Sequence, residues 1–133
     1  MFSWSEEYSV SFAEIDQQHR RLFELAGELH AAMLAGSGKQ VLARTLDSLI
    51  GYTKTHFFHE ERLMQARQYP GYSAHKAEHE ALTRNVLQFQ KDFLSGKQAM
   101  SVQLLQFLKR WLQAHIAQTD RKFGLYLNQA ARA

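Results

Sequence analysis

The stretch YSAHKAEHEALTRNVLQFQKDF, residues 72–93, places Tyr72, His75, His79, Leu82, Val86, Phe89 and Phe93 at alternating steps of three and four. That spacing is the seam of an amphipathic helix packed in a bundle, and two histidines lie on it. Working outward, the same pattern recurs. The preceding segment carries Leu42, Leu46, Leu49, Thr53, His56, Glu60 and Leu63, and the one before it Ile15, His19, Leu22, Ala26, Leu29 and Met33. The following segment carries Leu105, Leu108, Leu112 and His115, with Trp111 and Ile116 beside them. Between the four lie Gly36-Ser37-Gly38, Tyr69-Pro70-Gly71 and Ser95-Gly96-Lys97, the punctuation of turns.

Short turns between long helices make sequential helices antiparallel neighbours. The expected fold is therefore all-α, an up-down-up-down four-helix bundle over about residues 13–120, within a single domain spanning residues 1–133. An N-terminal arm, about residues 1–12, has Phe2, Trp4, Tyr8, Val10 and Phe12 on even positions, so it is expected to run extended over one end or side of the bundle. Ser11 with Glu14 fits a capping box at the first helix, with Asp16 as a rival start. In the C-terminal tail, about residues 121–133, Phe123, Tyr126 and Leu127 keep near-helical spacing, which Gly124 weakens.

Composition narrows the chemistry. One proline, seven glycines and 45% hydrophobic residues favour helices over a sandwich or barrel. The absence of cysteine removes disulfides, thiolate zinc sites, iron–sulfur clusters and a cysteine nucleophile, leaving oxygen and nitrogen ligands. A net charge of +3 is dispersed, with no basic stripe beyond Arg20-Arg21 and Lys109-Arg110, which argues against nucleic acid as a partner. The start lacks a basic stretch followed by an apolar run, and no segment approaches the roughly 20 apolar residues of a membrane span, so a soluble cytoplasmic protein is expected.

In an antiparallel helix pair, residues equidistant from the turn lie at one height, because both helices rise by the same amount per residue. His19 and His56 centre on the first turn, Glu60 and His75 just before the second, and His79 and His115 on Lys97 at the third. His56 with Glu60 and His75 with His79 are also i,i+4 pairs that project from one face. A buried layer of imidazoles with a carboxylate would incur several kcal/mol of desolvation per unpaired charge, and metal coordination removes that cost. A metal site follows. Asp120 lies five residues after His115, about 140° around an ideal helix, so spacing alone does not select it without a distortion. His59 competes with Glu60 as a ligand, though periodicity prefers Glu60. His30 is eleven residues beyond His19, about 16 Å along the axis, and reads as a core-edge or surface residue.

Four segments, IDQQH (15–19), HFFHEERLM (56–64), HKAEH (75–79) and WLQAHIAQTD (111–120), resemble in order and spacing the hemerythrin family, most closely its single-domain bacterial type. The resemblance implies a non-heme di-iron centre with an oxo or hydroxo bridge. It makes His75, His79 and His115 ligands of one iron, His19 and His56 ligands of the other, and Glu60 and Asp120 the bridges; His59 stays unassigned. With a shared solvent bridge the three-histidine iron reaches six ligands and its neighbour five. The implied function is reversible dioxygen binding at the five-ligand iron, for oxygen transport, storage or delivery, by a binding protein and not an enzyme. Leu22, Phe57, Trp111, Leu112 and Ile116 match apolar positions of the family's oxygen pocket, and Gln18 and Asp16 are the residues to examine behind the ligands. An oxygen-consuming protein is a candidate recipient; one-sided seams are sufficient for a monomer, the resemblance also allows larger assemblies, and the sequence leaves the oligomeric state open. The alternatives are oxygen or redox sensing through a separate partner, and a di-iron oxidase, peroxidase or iron-handling role. Carboxylate-rich di-iron oxidases carry Glu-x-x-His motifs, and none occurs here. Zinc accepts the same ligand types, but seven convergent ligands exceed one tetrahedral site.

Overall fold

A computed structural model of the chain describes residues 4–10, 12–97 and 102–132. Its helices are α1 (Ala13–Leu34), α2 (Lys39–Ala66), α3 (Tyr72–Leu94), α4 (Val102–Ala114) and α5 (Arg121–Arg132). A π-helical turn, His115–Asp120, joins α4 to α5, so these form one long fourth arm of the bundle. The expected four-helix bundle is the observed architecture, and the fourth helix runs on through the tail.

The first three helices end the same way. Gly36 N–H bonds to Met33 O and Ser37 N–H to Ala32 O, Gln68 N–H to Gln65 O and Tyr69 N–H to Met64 O, Gly96 N–H to Phe93 O and Lys97 N–H to Asp92 O. Each is a Schellman cap, which satisfies the last carbonyls and requires a left-handed residue just past the helix. Glycine supplies it at Gly36 (φ 68°) and Gly96 (φ 81°), whereas Gln68 adopts φ 54° despite its side chain.

Two apolar clusters flank a polar layer. The larger contains Leu22, Phe57, Leu82, Leu112 and Ile116; the smaller contains Val10, Ile15, Met64, Phe123 and Leu127. On α1, His19 falls between Ile15 and Leu22, and on the fourth arm Asp120 falls between Ile116 and Phe123. The polar layer is thus sealed from both ends.

The arm seals one side. Trp4 and Tyr8 pack on Phe23, with ring centroids 6.1 and 5.1 Å away, and Val10 is buried beside Phe123. The chain is extended at Ser5 and Ser9, but a single 3-10 turn, Glu6–Tyr8, interrupts it. Asp16 does not start α1; it lies within the helix and accepts hydrogen bonds from Ser9 Oγ (2.6 Å) and Val10 N–H (2.9 Å), pinning the arm down. The capping box with Ser11, like the placement of Phe2, lies outside the described residues. Gly124 has a specific reason to be glycine: a Cβ there would sit 2.2 Å from Val10 O, so the arm crosses α5 against bare backbone.

Candidate metal centre

Five histidines and two carboxylates converge in the sealed layer. His19, His56, Glu60, His75, His79, His115 and Asp120 are each at most 5% exposed. Helix α1 supplies His19, α2 His56 and Glu60, α3 His75 and His79, and the π-helical turn His115 and Asp120. That turn is the distortion Asp120 requires. A π-helical turn closes i to i+5, which returns Asp120 over His115, and Asp120 Oδ1 lies 3.0 Å from His115 Nε2. No glycine or proline lies within His115–Asp120. What the wide turn gains is the placement of Asp120 among three imidazoles.

The two carboxylates divide their oxygens. Glu60 Oε1 lies 2.6 Å from His75 Nε2 and 3.3 Å from His79 Nε2, while Oε2 lies 3.3 Å from His56 Nε2 and 4.0 Å from His19 Nε2. Asp120 Oδ1 faces His75 (2.7 Å) and His115 (3.0 Å), and Oδ2 faces His19 (2.8 Å). One oxygen of each carboxylate therefore meets a three-histidine group, and the other a two-histidine group. Ligand atoms within 4.8 Å of one another form two sets, Glu60, His75, His79, His115 and Asp120, and His19, His56, Glu60 and Asp120. Both carboxylates belong to both sets.

These close approaches are not ordinary hydrogen bonds. The Nε2 atoms of His19, His56 and His75 and all four carboxylate oxygens lack a partner with hydrogen-bond geometry, although they are buried and near one another. Atoms 2.6–3.3 Å apart that do not aim at each other aim at shared points between them, which is the arrangement cations would satisfy. The residues present fit a dinuclear site.

Charge follows the same geometry. Burial and Asp120 both raise the Glu60 carboxyl, yet His56, His75 and His79 outweigh them and hold it well below the usual range. Asp120 is likewise held low against its burial by His115, His19 and His75. Burial opposes the imidazolium of His75, but Asp120 and Glu60 lift it to about 9, and His115 is lifted against its burial to about 10 by Asp120, Glu78 and Glu60. His56 is pushed down, chiefly by burial.

Behind the layer, each helix supports a histidine of the next. His56 Nδ1–H donates to Gln18 Oε1 (2.5 Å), His79 Nδ1–H donates to Glu61 Oε2 (3.0 Å), and Glu78 Oε2 lies 3.4 Å from His115 Nδ1. Such contacts fix the tautomer that leaves Nε2 free to bind a metal. Of these three outer partners, the sequence pattern points to Gln18 alone, since Glu61 and Glu78 lie off the helix seams. His59 pairs with Glu14 at 2.9 Å, 39% exposed and outside the layer. His30 is half-buried one residue beyond Leu29.

Leu22, Phe57, Leu112 and Ile116 are buried beside the layer and Trp111 half-buried. Phe57 stacks on His79 (3.8 Å, 6°) and Trp111 on His115 (4.6 Å, 12°). Leu22, Trp111 and Leu112, with Thr53, Leu82 and Leu108, line a small apolar cavity of about 30 Å³.

The family model for the hemerythrin HHE cation binding domain matches residues 10–126. The chain belongs to the hemerythrin family. A bacteriohemerythrin of Stenotrophomonas maltophilia is 34% identical over 133 residues, covering 97% of this chain and 86% of its own. One of Methylococcus capsulatus is 31% identical over 93% of this chain and 95% of its own. A solved wild-type hemerythrin superposes with a TM-score of 0.87 at 32% identity, covering 93% of this chain and 95% of that one. Membership agrees with the cation-binding geometry, and the expected hemerythrin fold and metal-binding character hold. No helix among the described residues is long and apolar enough to cross a membrane.

Proposed function

We propose that this hemerythrin binds dioxygen reversibly at a non-heme di-iron centre, serving oxygen transport, storage or delivery. The observation that carries the reading is the division of both carboxylates, one oxygen toward three imidazoles and the other toward two. His75, His79 and His115 would hold one iron, His19 and His56 the other, and Glu60 and Asp120 would bridge them. When bound, such a pair would supply reversible electron donation to oxygen, and the histidine pair His19 and His56 offers fewer ligands than the three histidines opposite.

The rest is the work of the chain. Five neutral imidazoles and two shared carboxylates give a ligand set of low anionic charge, which favours reversible binding over oxygen cleavage. The cavity of about 30 Å³ is large enough for a water-sized guest, and its lining is apolar apart from two threonines and the solvent-exposed Lys54, which favours dioxygen over water. Thr53 and Thr83 border it, but their hydroxyls donate to Leu49 O and His79 O. Leu22, Phe57, Trp111, Leu112 and Ile116 exclude the water and protons that would destroy the oxygenated form. We place this activity in the cytoplasm, whose reducing environment favours the ferrous state.

Anaerobic loading with ferrous iron, exposure to oxygen and its removal, followed by visible absorption, tests the reading. A band that appears and vanishes over repeated cycles is expected. One-way oxidation in the first cycle would refute reversible carriage.

A further inference from the structure

The side chains behind the five ligand histidines differ in charge between the two halves of the centre. On the three-histidine half, the Nδ1 of His79 faces Glu61 at 3.0 Å and that of His115 faces Glu78 at 3.4 Å. On the two-histidine half, the Nδ1 of His56 faces the neutral amide of Gln18 at 2.5 Å, while His19 Nδ1, like His75 Nδ1 on the other half, has no hydrogen-bond partner among the described residues. Among the described residues, two carboxylates thus stand behind one half and none behind the other. Glu61 is the stronger of them, because its side chain is 19% exposed against 51% for Glu78 and its contact is shorter.

An imidazole whose Nδ1–H donates to a carboxylate is a more basic ligand than one donating to an amide, and a more basic ligand stabilises the more highly charged metal ion. A carboxylate shielded from solvent also acts through a lower dielectric than an exposed one.

We infer that Glu61, with Glu78 as the lesser partner, is a positioning residue that makes the two metal positions electronically unequal, so that His75, His79 and His115 would hold the more easily oxidised iron. Gln18 is the complement: as an amide it holds His56 without adding charge, and so would favour the ferrous state of an iron held by His19 and His56. The inference rests on the di-iron reading above and names residues beyond its ligand set. One-electron oxidation by ferricyanide is balanced by reduction of ferricyanide to ferrocyanide, with no proton moved in the step.

The test is potentiometry of the iron-loaded chain, with Mössbauer spectra of the one-electron-oxidised state, for the unaltered protein, Glu61→Gln, Glu78→Gln and Gln18→Glu. Both glutamines preserve shape and a hydrogen-bond acceptor, so a purely structural role would leave the potentials in place. Glu61→Gln should make the first electron harder to remove by roughly tenfold in the equilibrium, about 59 mV for one electron, and Glu78→Gln should do so by less. Gln18→Glu should make the second electron easier to remove and narrow the gap between the steps. Cobalt(II) titration checks that each variant still takes two metals. Unchanged steps in both Glu61→Gln and Gln18→Glu, with two irons bound and oxygen binding reversible, overturn the inference and leave the di-iron reading standing. An unaltered chain that takes up fewer than two irons overturns both.

Discussion

Loading metal into metal-free protein at about pH 7 should expel about two protons per chain from imidazoles alone. Glu60 and Asp120 are fully buried, and both are held ionised by their neighbours. Their charges are balanced by the imidazoliums of His75 and His115, whose pKa values stand at about 9 and about 10 against burial that opposes them. A metal takes the Nε2 lone pair, so both protons must leave, and a bridging hydroxide formed from water would add a third. The signs follow from linkage. The raised histidines stabilise the metal-free fold fully below about 6.5, and that contribution is lost as pH climbs through about 9 to 10. The depressed carboxylates contribute above about 4, and their contribution is lost on acidification. Metal affinity should therefore rise with pH through neutrality, and loading should remove the alkaline weakness of the metal-free chain. The assay is an anaerobic titration in weak buffer with a pH indicator, using ferrous iron and, as a redox-silent control, zinc. Release of fewer than one proton per chain with both metals, or an affinity flat across neutral pH, would refute the charge balance drawn here.

Glu60→Ala should lower affinity at both positions by at least the roughly 10–100-fold typical of losing an outer partner; elemental analysis finding two irons per chain retained would remove Glu60 from its bridging role. Leu112→Asn puts an amide where the side chain is 4% exposed, and should both cost about 1–3 kcal/mol of stability and shorten the life of the oxygenated form. An unchanged decay of its visible band would count against Leu112 as a wall of the pocket. Gly124→Ala drives a methyl to 2.2 Å from Val10 O; the arm must lift, at about 1–3 kcal/mol, partly offset by the better helix propensity of alanine. Urea unfolding of the two proteins side by side measures the difference, and a net gain in stability would mean the arm is not held against α5.

Much of this molecule was legible because antiparallel helices convert distance from a turn into height. The seams gave four helices, and centring residues on three turns gave His19, His56, Glu60, His75, His79 and His115 at one level. The same construction finds the outer partners: Gln18 and His56 centre on Ser37, Glu61 and His79 on Pro70, and Glu78 and His115 between Gly96 and Lys97. Glu61 and Glu78 are not legible from periodicity because they lie off the seams, where a glutamate is explained equally well as part of a solvated helix face. Gly124 is not legible for another reason. Its partner, Val10, is more than a hundred residues away, and no local pattern encodes an arm crossing a helix.

Asp120 is the instructive case, because it is invisible from one direction and plain from the other. Counted forward from His115 it is five residues on and faces away in any regular α-helix. Counted backward from the tail it belongs to a seam: Leu127, Phe123, Asp120 and Ile116 fall at steps of four, three and four, and all four are buried. A tail boundary at residue 120 would cut that seam in two. The two counts conflict only if one helical period must serve the whole segment, and the π-helical turn is where the conflict is resolved. It lets His115 point into the layer with α4 while Asp120 enters on the register of α5, whose Phe123 ring then lies 6.2 Å from His75 at the layer's floor. Two registers that each bury their apolar face, joined by one wide turn, cost less than a single register that would leave either a histidine or a carboxylate outside the site. A break in periodicity between two well-formed seams is thus itself a signal, and here it falls on the residues that complete the metal centre.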